Sequence, residues 1–270
     1  MIPGILVLDN NCYALLRDRV RLERVRANLR VADLIAQPSE VNLVESTSAP
    51  DAVRRQLVAT IREVAGRQPL LPWPFTMLQA IGKSIAEGKP TYTVAVSGKE
   101  WYLDDFDALS ERSTETLRFQ EGIEAEFAAF HARNRQKVKA SSGRGSASDD
   151  FGAARPFLER VWFGSKMRRD FAEVMWLAFQ LPGVAPFEVL ERNEAWRLML
   201  DAEGVAFYEQ VVAHEQPRRV HRFDLMQMPY LGIARKRVLA TSDRGLLRAA
   251  NAVLRGRYRN ARAIDIQDLV

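Results

Sequence analysis

The chain has 270 residues, of which 47% are hydrophobic and 27% are charged, as is typical of a folded globular protein. This composition excludes a wholly disordered, collagen-like or disulfide-stapled chain. No apolar run approaches the length of about 18 residues that a membrane-spanning helix needs. A single cysteine, Cys12, excludes an internal disulfide and favours a reducing compartment. Because the N-terminal residues also lack the basic and apolar segments of a secretory signal, we expect a cytoplasmic protein.

The C-terminal segment, residues 216–270, is strongly basic. It contains twelve Lys or Arg against four Asp and carries a net charge of +8, whereas the whole chain carries +5. Such a bias favours a polyanionic partner, since each phosphate that is neutralised releases bound counterions. A solvated basic face explains the charge equally well, so charge alone leaves both interpretations open.

The N-terminal quarter alternates short apolar runs with helical patterns. Residues 5–8 are apolar without interruption, which is typical of a buried parallel strand. A helical pattern follows over residues 11–30, and a second apolar run covers residues 34–36. Ser39 is a candidate N-cap for the next helix, whose apolar residues recur as far as Ile61 and which Pro50 interrupts.

Pro69, Pro72 and Pro74 mark a boundary, after which residues 68–215 predict a mainly helical insertion. Within it we expect a helix to about residue 87, a β-hairpin over residues 91–103, a helix over residues 111–139 and a Gly/Ser-rich mobile loop over residues 140–148. Residues 153–214 are helical and aromatic-rich, and their aromatic side chains predict a core more strongly than a base-stacking platform.

After Pro217 the pattern predicts a helix, a strand over residues 238–240, another helix and a last strand at residues 263–264. Residues 1–67 and 216–270 would then be two halves of one α/β domain, a mostly parallel sheet flanked by helices and interrupted by the insertion. No internal repeat is visible.

Several familiar chemical motifs are excluded. Gly82-Lys83-Ser84 resembles the end of a phosphate-binding P-loop, but that motif needs glycine where Met77 stands and a preceding strand. No glycine-rich dinucleotide fingerprint follows a strand. Cys12 with three scattered histidines has no zinc-site spacing, and a lone cysteine after a buried strand is usually a core residue.

Acidic residues at the ends of apolar strands are the feature that points to chemistry. Asp9 follows the first strand and Asp243 follows residues 238–240. The carboxyl ends of parallel strands form the ligand-binding edge of such a sheet, so these acids are expected to converge there. Glu45 and Asp224 are candidates to join them. Clustered carboxylates repel one another unless a cation such as Mg²⁺ or Mn²⁺ shares the site.

These segments resemble those of the PIN-domain nucleases. In that family an apolar strand ends in Asp, a helix supplies Glu, a later helix opens near a third Asp, and a strand ends in Thr-x-Asp. The matching segments here are Asp9-Asn10-Asn11, Ser39 to Glu45, Asp224 to Leu231, and Thr241-Ser242-Asp243. The resemblance covers residues 1–66 and 218–270.

The resemblance implies a PIN-like fold and hydrolysis of phosphodiester bonds, most often in RNA. Asp9, Glu45, Asp224 and Asp243 would be the catalytic acids that bind one or two Mg²⁺ or Mn²⁺ ions. Asn11 and Thr241 would support them by hydrogen bonding. Arg244 and Arg248, just past the last acid, are candidate phosphate contacts, although a solvated helix face explains them as well.

Some features depart from the family pattern. Asn10 stands where Thr or Ser is common, and Pro229 interrupts the helix expected after Asp224. Glu40 competes with Glu45 for the second acid, and we prefer Glu45 for its distance from Ser39. The large insertion distinguishes the chain from compact PIN toxins.

Other functions stay open on the sequence alone. One is a PIN-like module that binds RNA or a protein without cutting, and another is a nuclease directed at DNA or flaps. The presence of all four acids in the family's order argues against a module that binds without cutting. A protein partner, an antitoxin-like inhibitor and a homodimer are further alternatives, whereas no membrane partner is expected.

Overall fold

A computed structural model describes residues 4–47, 49–66, 68, 70–89, 106–141, 154–209, 225–233 and 236–270 of the chain. Its N-terminal elements are β1 (Gly4–Leu8), α1 (Asn10–Leu15), α2 (Arg19–Ala32), β2 (Leu34–Ala36), α3 (Glu40–Thr47) and α4 (Asp51–Ala65). The middle of the chain forms α5 (Pro74–Ala86), α6 (Phe106–Ser141), α7 (Ala154–Phe157) with a π-helical turn at Leu158–Trp162, α8 (Lys166–Ala178), α9 (Phe187–Arg192) and α10 (Glu194–Tyr208). The last elements are a 3₁₀ turn (Met228–Gly232), β3 (Arg237–Thr241), α11 (Arg244–Leu254), β4 (Ala261–Asp265) and a 3₁₀ turn (Ile266–Asp268).

The described strands form one parallel sheet in the order β2-β1-β3-β4. In the register of β1 with β3, Leu8 lies opposite Ala240, and in that of β3 with β4, Thr241 lies opposite Asp265. The α/β class and the parallel sheet are confirmed. Both strands expected near the C-terminus are present, each slightly longer than predicted.

Successive side chains along each strand point to opposite faces of the sheet, and both faces are buried. On one face Leu6, Leu8, Val238 and Ala240 pack in a cluster with residues of α1, α2 and α4. On the other face Val7 and Leu239 join a larger cluster that contains α11 and most of the middle helices. The predicted insertion therefore shares a hydrophobic core with the sheet, while its description as a separate domain stays a prediction.

The helix predicted over residues 11–30 is in fact two helices, because an N-cap interrupts it. Helix α1 ends at Leu15, and Asp18 then caps α2 by accepting the N–H groups of Val20 at 2.9 Å and Arg21 at 3.1 Å. An aspartate in this role starts a new helix, since it satisfies donors that have no partner inside the helix.

Other local predictions are confirmed. The Ser39 hydroxyl accepts the N–H of Asn42 at the start of α3, and α4 restarts directly after Pro50. Gly82 lies inside α5, where a Cβ would overlap the Leu181 side chain, so this glycine lets the segment after α8 pack closely on α5 rather than binding phosphate.

The aromatic residues of the middle segment form a core, as predicted. Trp162, Phe171, Trp176, Phe179 and Trp196 are all buried in the larger cluster. Phe163 is only half-buried, and the guanidinium of Arg257 lies 3.9 Å from its ring centroid.

Three predictions fall on residues that the structure does not describe. They are the hairpin over residues 91–103, all but the first two residues of the loop over 140–148, and the start of the helix expected after Pro217.

Within the described part of the chain, no helix is long and apolar enough to cross a membrane.

A buried ionic network joins the middle helices to the C-terminal strand region. The fully buried Asp201 of α10 pairs with the equally buried Arg168 of α8. Its other oxygen accepts Arg257 Nε at 3.1 Å and the Tyr258 hydroxyl at 2.7 Å, both from the segment between α11 and β4. This carboxylate therefore connects two parts of the chain that lie more than 50 residues apart.

We expect Asp201→Asn to lower the free energy of unfolding by about 3 kcal/mol, because it removes one of the two carboxylates paired with the buried Arg168 and leaves only Glu191, which is partly exposed. Urea denaturation measures the loss. Glu188→Gln, which removes the exposed ion pair between Arg169 and Glu188, is the matched control and should change stability little. Equal effects of the two substitutions would contradict a structural role for the network.

Candidate functional site

The candidate site lies where β1 and β3 end side by side. In the strand order, β2 lies next to β1 at one edge of the sheet, and β4 lies next to β3 at the opposite edge. This reversal of strand order is a topological switch point, and in open parallel sheets ligands bind in the crevice at its carboxyl edge. The N–H of Asp9 donates to the carbonyl of Ala240 at 3.0 Å, which places Asp9 at that edge.

Asp9 is buried, with 1% of its surface exposed, and several donors hold its carboxylate. Oδ1 accepts the N–H of Asn10 at 2.7 Å. Oδ2 accepts the Thr241 hydroxyl at 3.0 Å and the Asn11 amide at 3.3 Å. Asn11 and Thr241, the two residues predicted to support the acids, thus both donate to Asp9.

Asp243 is joined to Asp9 through Thr241. The Asp243 N–H donates to Thr241 Oγ1 at 2.9 Å, the same hydroxyl that donates to Asp9. The Asp243 carboxylate caps α11, where its Oδ1 accepts the N–H groups of Gly245 at 2.5 Å and Leu246 at 2.9 Å. One threonine hydroxyl therefore links the Asp9 carboxylate to the backbone of Asp243.

Burial is the main cause that raises the pKa of Asp9 above its ordinary value. The hydrogen bonds from Thr241, Asn10 and Asn11 favour the ionised carboxylate and lower the pKa, while the nearby charge of Asp243 raises it. The net direction is upward. The edge of the sheet thus holds a desolvated acid beside a second carboxylate, an arrangement that a cation would relieve.

The two candidate glutamates of α3 lie in different surroundings. Glu40 is buried, and its Oε2 accepts the N–H of Trp73 at 2.9 Å, so this carboxylate supports the chain ahead of α5. Glu45 is half-buried and lies one helical turn after Asn42, whose side chain reaches the Leu8 carbonyl next to Asp9. Residues three apart share a helix face, so Glu45 lies on the same face of α3 as Asn42, and its choice over Glu40 stays a prediction.

Asp224, the remaining acid, lies outside the described residues. Just after it, Leu225 is helical, residues 226–227 form a turn, and the short 3₁₀ helix follows with Pro229 in its first turn. A proline is favourable there because the N–H that it lacks would have no helical partner.

Carboxylate oxygens are the ligands that Mg²⁺ and Mn²⁺ prefer. Among the described residues, no group of three or more His, Cys, Asp or Glu side chains that could hold a metal ion is gathered. The predicted acids Asp9, Glu45 and Asp243 all lie in the described part of the chain, and the structure does not gather the three into one such group. Asp9 and Asp243, which lie together at the edge of the sheet, fit a divalent cation by donor type and are two of the four predicted ligands. The described part of the chain does not by itself complete such a site.

Arg244 and Arg248 lie on the first turns of α11, directly after Asp243, and both are exposed. The Arg248 Nε donates to the Arg244 carbonyl at 3.2 Å. Their position is compatible with a phosphate contact, and that role stays a prediction.

Two residues at this edge were missed by the sequence reasoning. Asn42 makes the contact with Leu8 described above, and its place three residues after Ser39 was the available signal. Asp265 ends β4 opposite Thr241, and its charge is one cause that raises the pKa of the Cys12 thiol. An apolar pair followed by an acid, the pattern that identified Asp9, also marks Asp265.

Comparison of the chain with protein-family models, with curated proteins and with solved structures gives no match.

The raised pKa of Asp9 predicts a pH dependence of stability. The folded protein holds the proton of the Asp9 carboxyl more tightly than the unfolded chain does. The protonated carboxyl therefore makes its full contribution to the free energy of unfolding below its ordinary pKa of about 3.9. It is lost as the pH rises through the higher folded value. In metal-free buffer, Asp9→Asn should remove this component, so that the variant gains stability relative to wild type as the pH rises from about 4.

Urea unfolding over a pH series measures the effect. Thr241→Val removes the hydrogen bond that lowers the Asp9 pKa and should extend the loss of stability to higher pH. Parallel pH profiles for wild type and Asp9→Asn would show that Asp9 does not titrate in this way.

Proposed function

We propose that the protein is a metal-dependent endoribonuclease with a PIN-like active site. The observation that carries this proposal is the Asp9–Thr241–Asp243 arrangement at the switch point of a parallel sheet. It supports the proposal because it combines two carboxylates, a bridging hydroxyl and a ligand-binding edge in the order along the chain that the PIN resemblance implies.

The residues would have distinct roles. Asp9, Glu45, Asp224 and Asp243 would hold Mg²⁺ or Mn²⁺, while Asn11 and Thr241 orient the Asp9 carboxylate through the hydrogen bonds already described. The bound ion would supply a water activated for attack and would offset the charge that develops on the phosphodiester. Burial of Asp9 keeps this carboxylate away from bulk water, which strengthens its interaction with a cation.

RNA is the proposed substrate because of the family resemblance and the charge of the C-terminal segment. Among the residues of this segment that the structure describes, five arginines have exposed side chains: Arg244, Arg248, Arg255, Arg259 and Arg262. Exposed arginines bind a phosphate backbone without regard to sequence. We place this activity in the cytoplasm, in keeping with the single cysteine.

The test is cleavage of mixed RNA and single-stranded DNA oligonucleotides with Mn²⁺, beside reactions in EDTA. Wild type should cut RNA only with the metal. Asp9→Asn and Asp243→Asn should each reduce the rate by at least about a hundredfold, since a catalytic metal contributes several kcal/mol to the transition state.

Asp18→Asn is the matched control for Asp243→Asn. Asp18 also caps a helix through its Oδ1, but at the start of α2 and on the protein surface. This variant should keep full activity, and circular dichroism should show that all three variants remain folded.

The remaining outcomes separate the alternatives. Cleavage of DNA but not RNA would assign a DNA-directed nuclease. RNA binding without cleavage by wild type, with Mn²⁺ present, would assign a binding module. Wild-type rates in Asp9→Asn would show that the chemistry lies elsewhere.

A further inference from the structure

The side chain of Asn42 connects the start of α3 to the end of β1. It is fully buried, and its Nδ2 donates to the Leu8 carbonyl at 2.9 Å. Its Oδ1 accepts the Ser39 N–H at 3.1 Å and the Ser39 hydroxyl at 2.8 Å. The amide thus acts as donor and acceptor at once, which neither a carboxylate nor an aliphatic side chain of this size can do.

The Leu8 carbonyl needs this donor because β2 is short. Strand β2 ends at Ala36, and the N–H of Gln37 donates to the Leu6 carbonyl at 2.8 Å. Alternate carbonyls of a strand point to the same side. The Leu8 carbonyl therefore points in the same direction as the Leu6 carbonyl, but it lies beyond the end of β2. Asn42 supplies the hydrogen bond that another strand residue would otherwise make.

This contact joins the two backbone segments that carry two of the proposed catalytic acids. Asp9 directly follows Leu8, and Glu45 follows Asn42 by one turn on the same helix face. Val41 and Val44 of α3 belong to the larger hydrophobic cluster, which also contains Phe127 and Phe130 of α6. Apolar packing is non-directional, whereas the bond from Asn42 to Leu8 is directional and ties α3 to the end of β1, and the two bonds to Ser39 hold the amide in that orientation.

We infer that Asn42 is a positioning residue that sets Glu45 relative to Asp9. This inference rests on the proposed function, since it requires that both acids hold the same divalent cation. Asn42 does not touch the metal or the substrate. It acts through the two backbone segments that carry the acids.

The test is Mn²⁺ affinity measured by titration calorimetry on the intact protein, together with kcat and KM for RNA. Asn42→Leu keeps the number and branching of the side-chain heavy atoms and removes all three side-chain hydrogen bonds, and the smaller Asn42→Ser is the second variant if the first does not fold. Residues that orient metal ligands typically change affinity by 10–100-fold, so we expect Mn²⁺ binding to weaken roughly tenfold or more, with a lower kcat and an unchanged KM.

Asn28→Leu is the matched control. It removes a comparable bond, from Asn28 Nδ2 to the Leu269 carbonyl at 2.9 Å, on α2. Mn²⁺ affinity should be unchanged in this variant. If the Asn42 variants lose thermal stability but bind Mn²⁺ as wild type does, Asn42 has only a structural role and the inference is wrong.

A double-mutant cycle tests whether Asn42 acts through Glu45. In a Glu45→Gln background, Asn42→Ser should change Mn²⁺ affinity much less than it does in wild type, because residues that act as a unit are not additive. An equal change in both backgrounds overturns the inference while leaving the proposed function intact. Absence of Mn²⁺ binding by wild type would contradict the proposed function itself, and the inference with it.

Discussion

The pairing of β1 with β3 is the constraint on which the rest of the structure depends. These strands lie more than 230 residues apart in the chain, yet the Asp9 N–H and the Ala240 carbonyl are joined by a hydrogen bond. The chain leaves the pair in opposite directions, toward β2 and toward β4, and this reversal creates the crevice at the carboxyl edge. Without it Asp9 and Asp243 would share neither Thr241 nor an electrostatic environment.

The middle helices are part of the same constraint. Val7 and Leu239, from the two central strands, lie in one cluster with Trp162, Phe171 and Trp196 of the insertion. The buried carboxylate of Asp201 then joins α10 to the loop between α11 and β4. Since α11 begins at the site and ends near this network, the insertion helps to hold the helix that Asp243 caps. It therefore contributes to the site through packing, whatever else it binds.

Much of this arrangement is predictable from local patterns, and the remainder is not, for a physical reason. Uninterrupted apolar runs identify β1 and β3, and the acids that follow them identify the edge, because strand ends and caps are encoded by adjacent residues. The break at Asp18 was missed because apolar periodicity continues across it. Local spacing from Ser39 already favoured Glu45 over Glu40, but the contact of Glu40 with Trp73 and that of Asn42 with Leu8 join residues that are distant in sequence. Asp201 is an ordinary helical acid until Arg257 and Tyr258 are placed beside it.

The electrostatics of this edge explain why a cation belongs in the proposed function. A helix N-terminus ordinarily attracts phosphate through its free N–H groups. Here the Asp243 carboxylate already occupies the N–H groups of Gly245 and Leu246, and Asp9 adds a second acid beside it. The start of α11 would therefore present negative charge to the phosphodiester of the proposed substrate. Arg244 and Arg248 are exposed on the first turns of α11 and suit the flanking backbone, whereas the scissile phosphate would face the carboxylates. A divalent ion between them would convert this repulsion into attraction, so the same ion would bind the substrate and lower the pKa of Asp9.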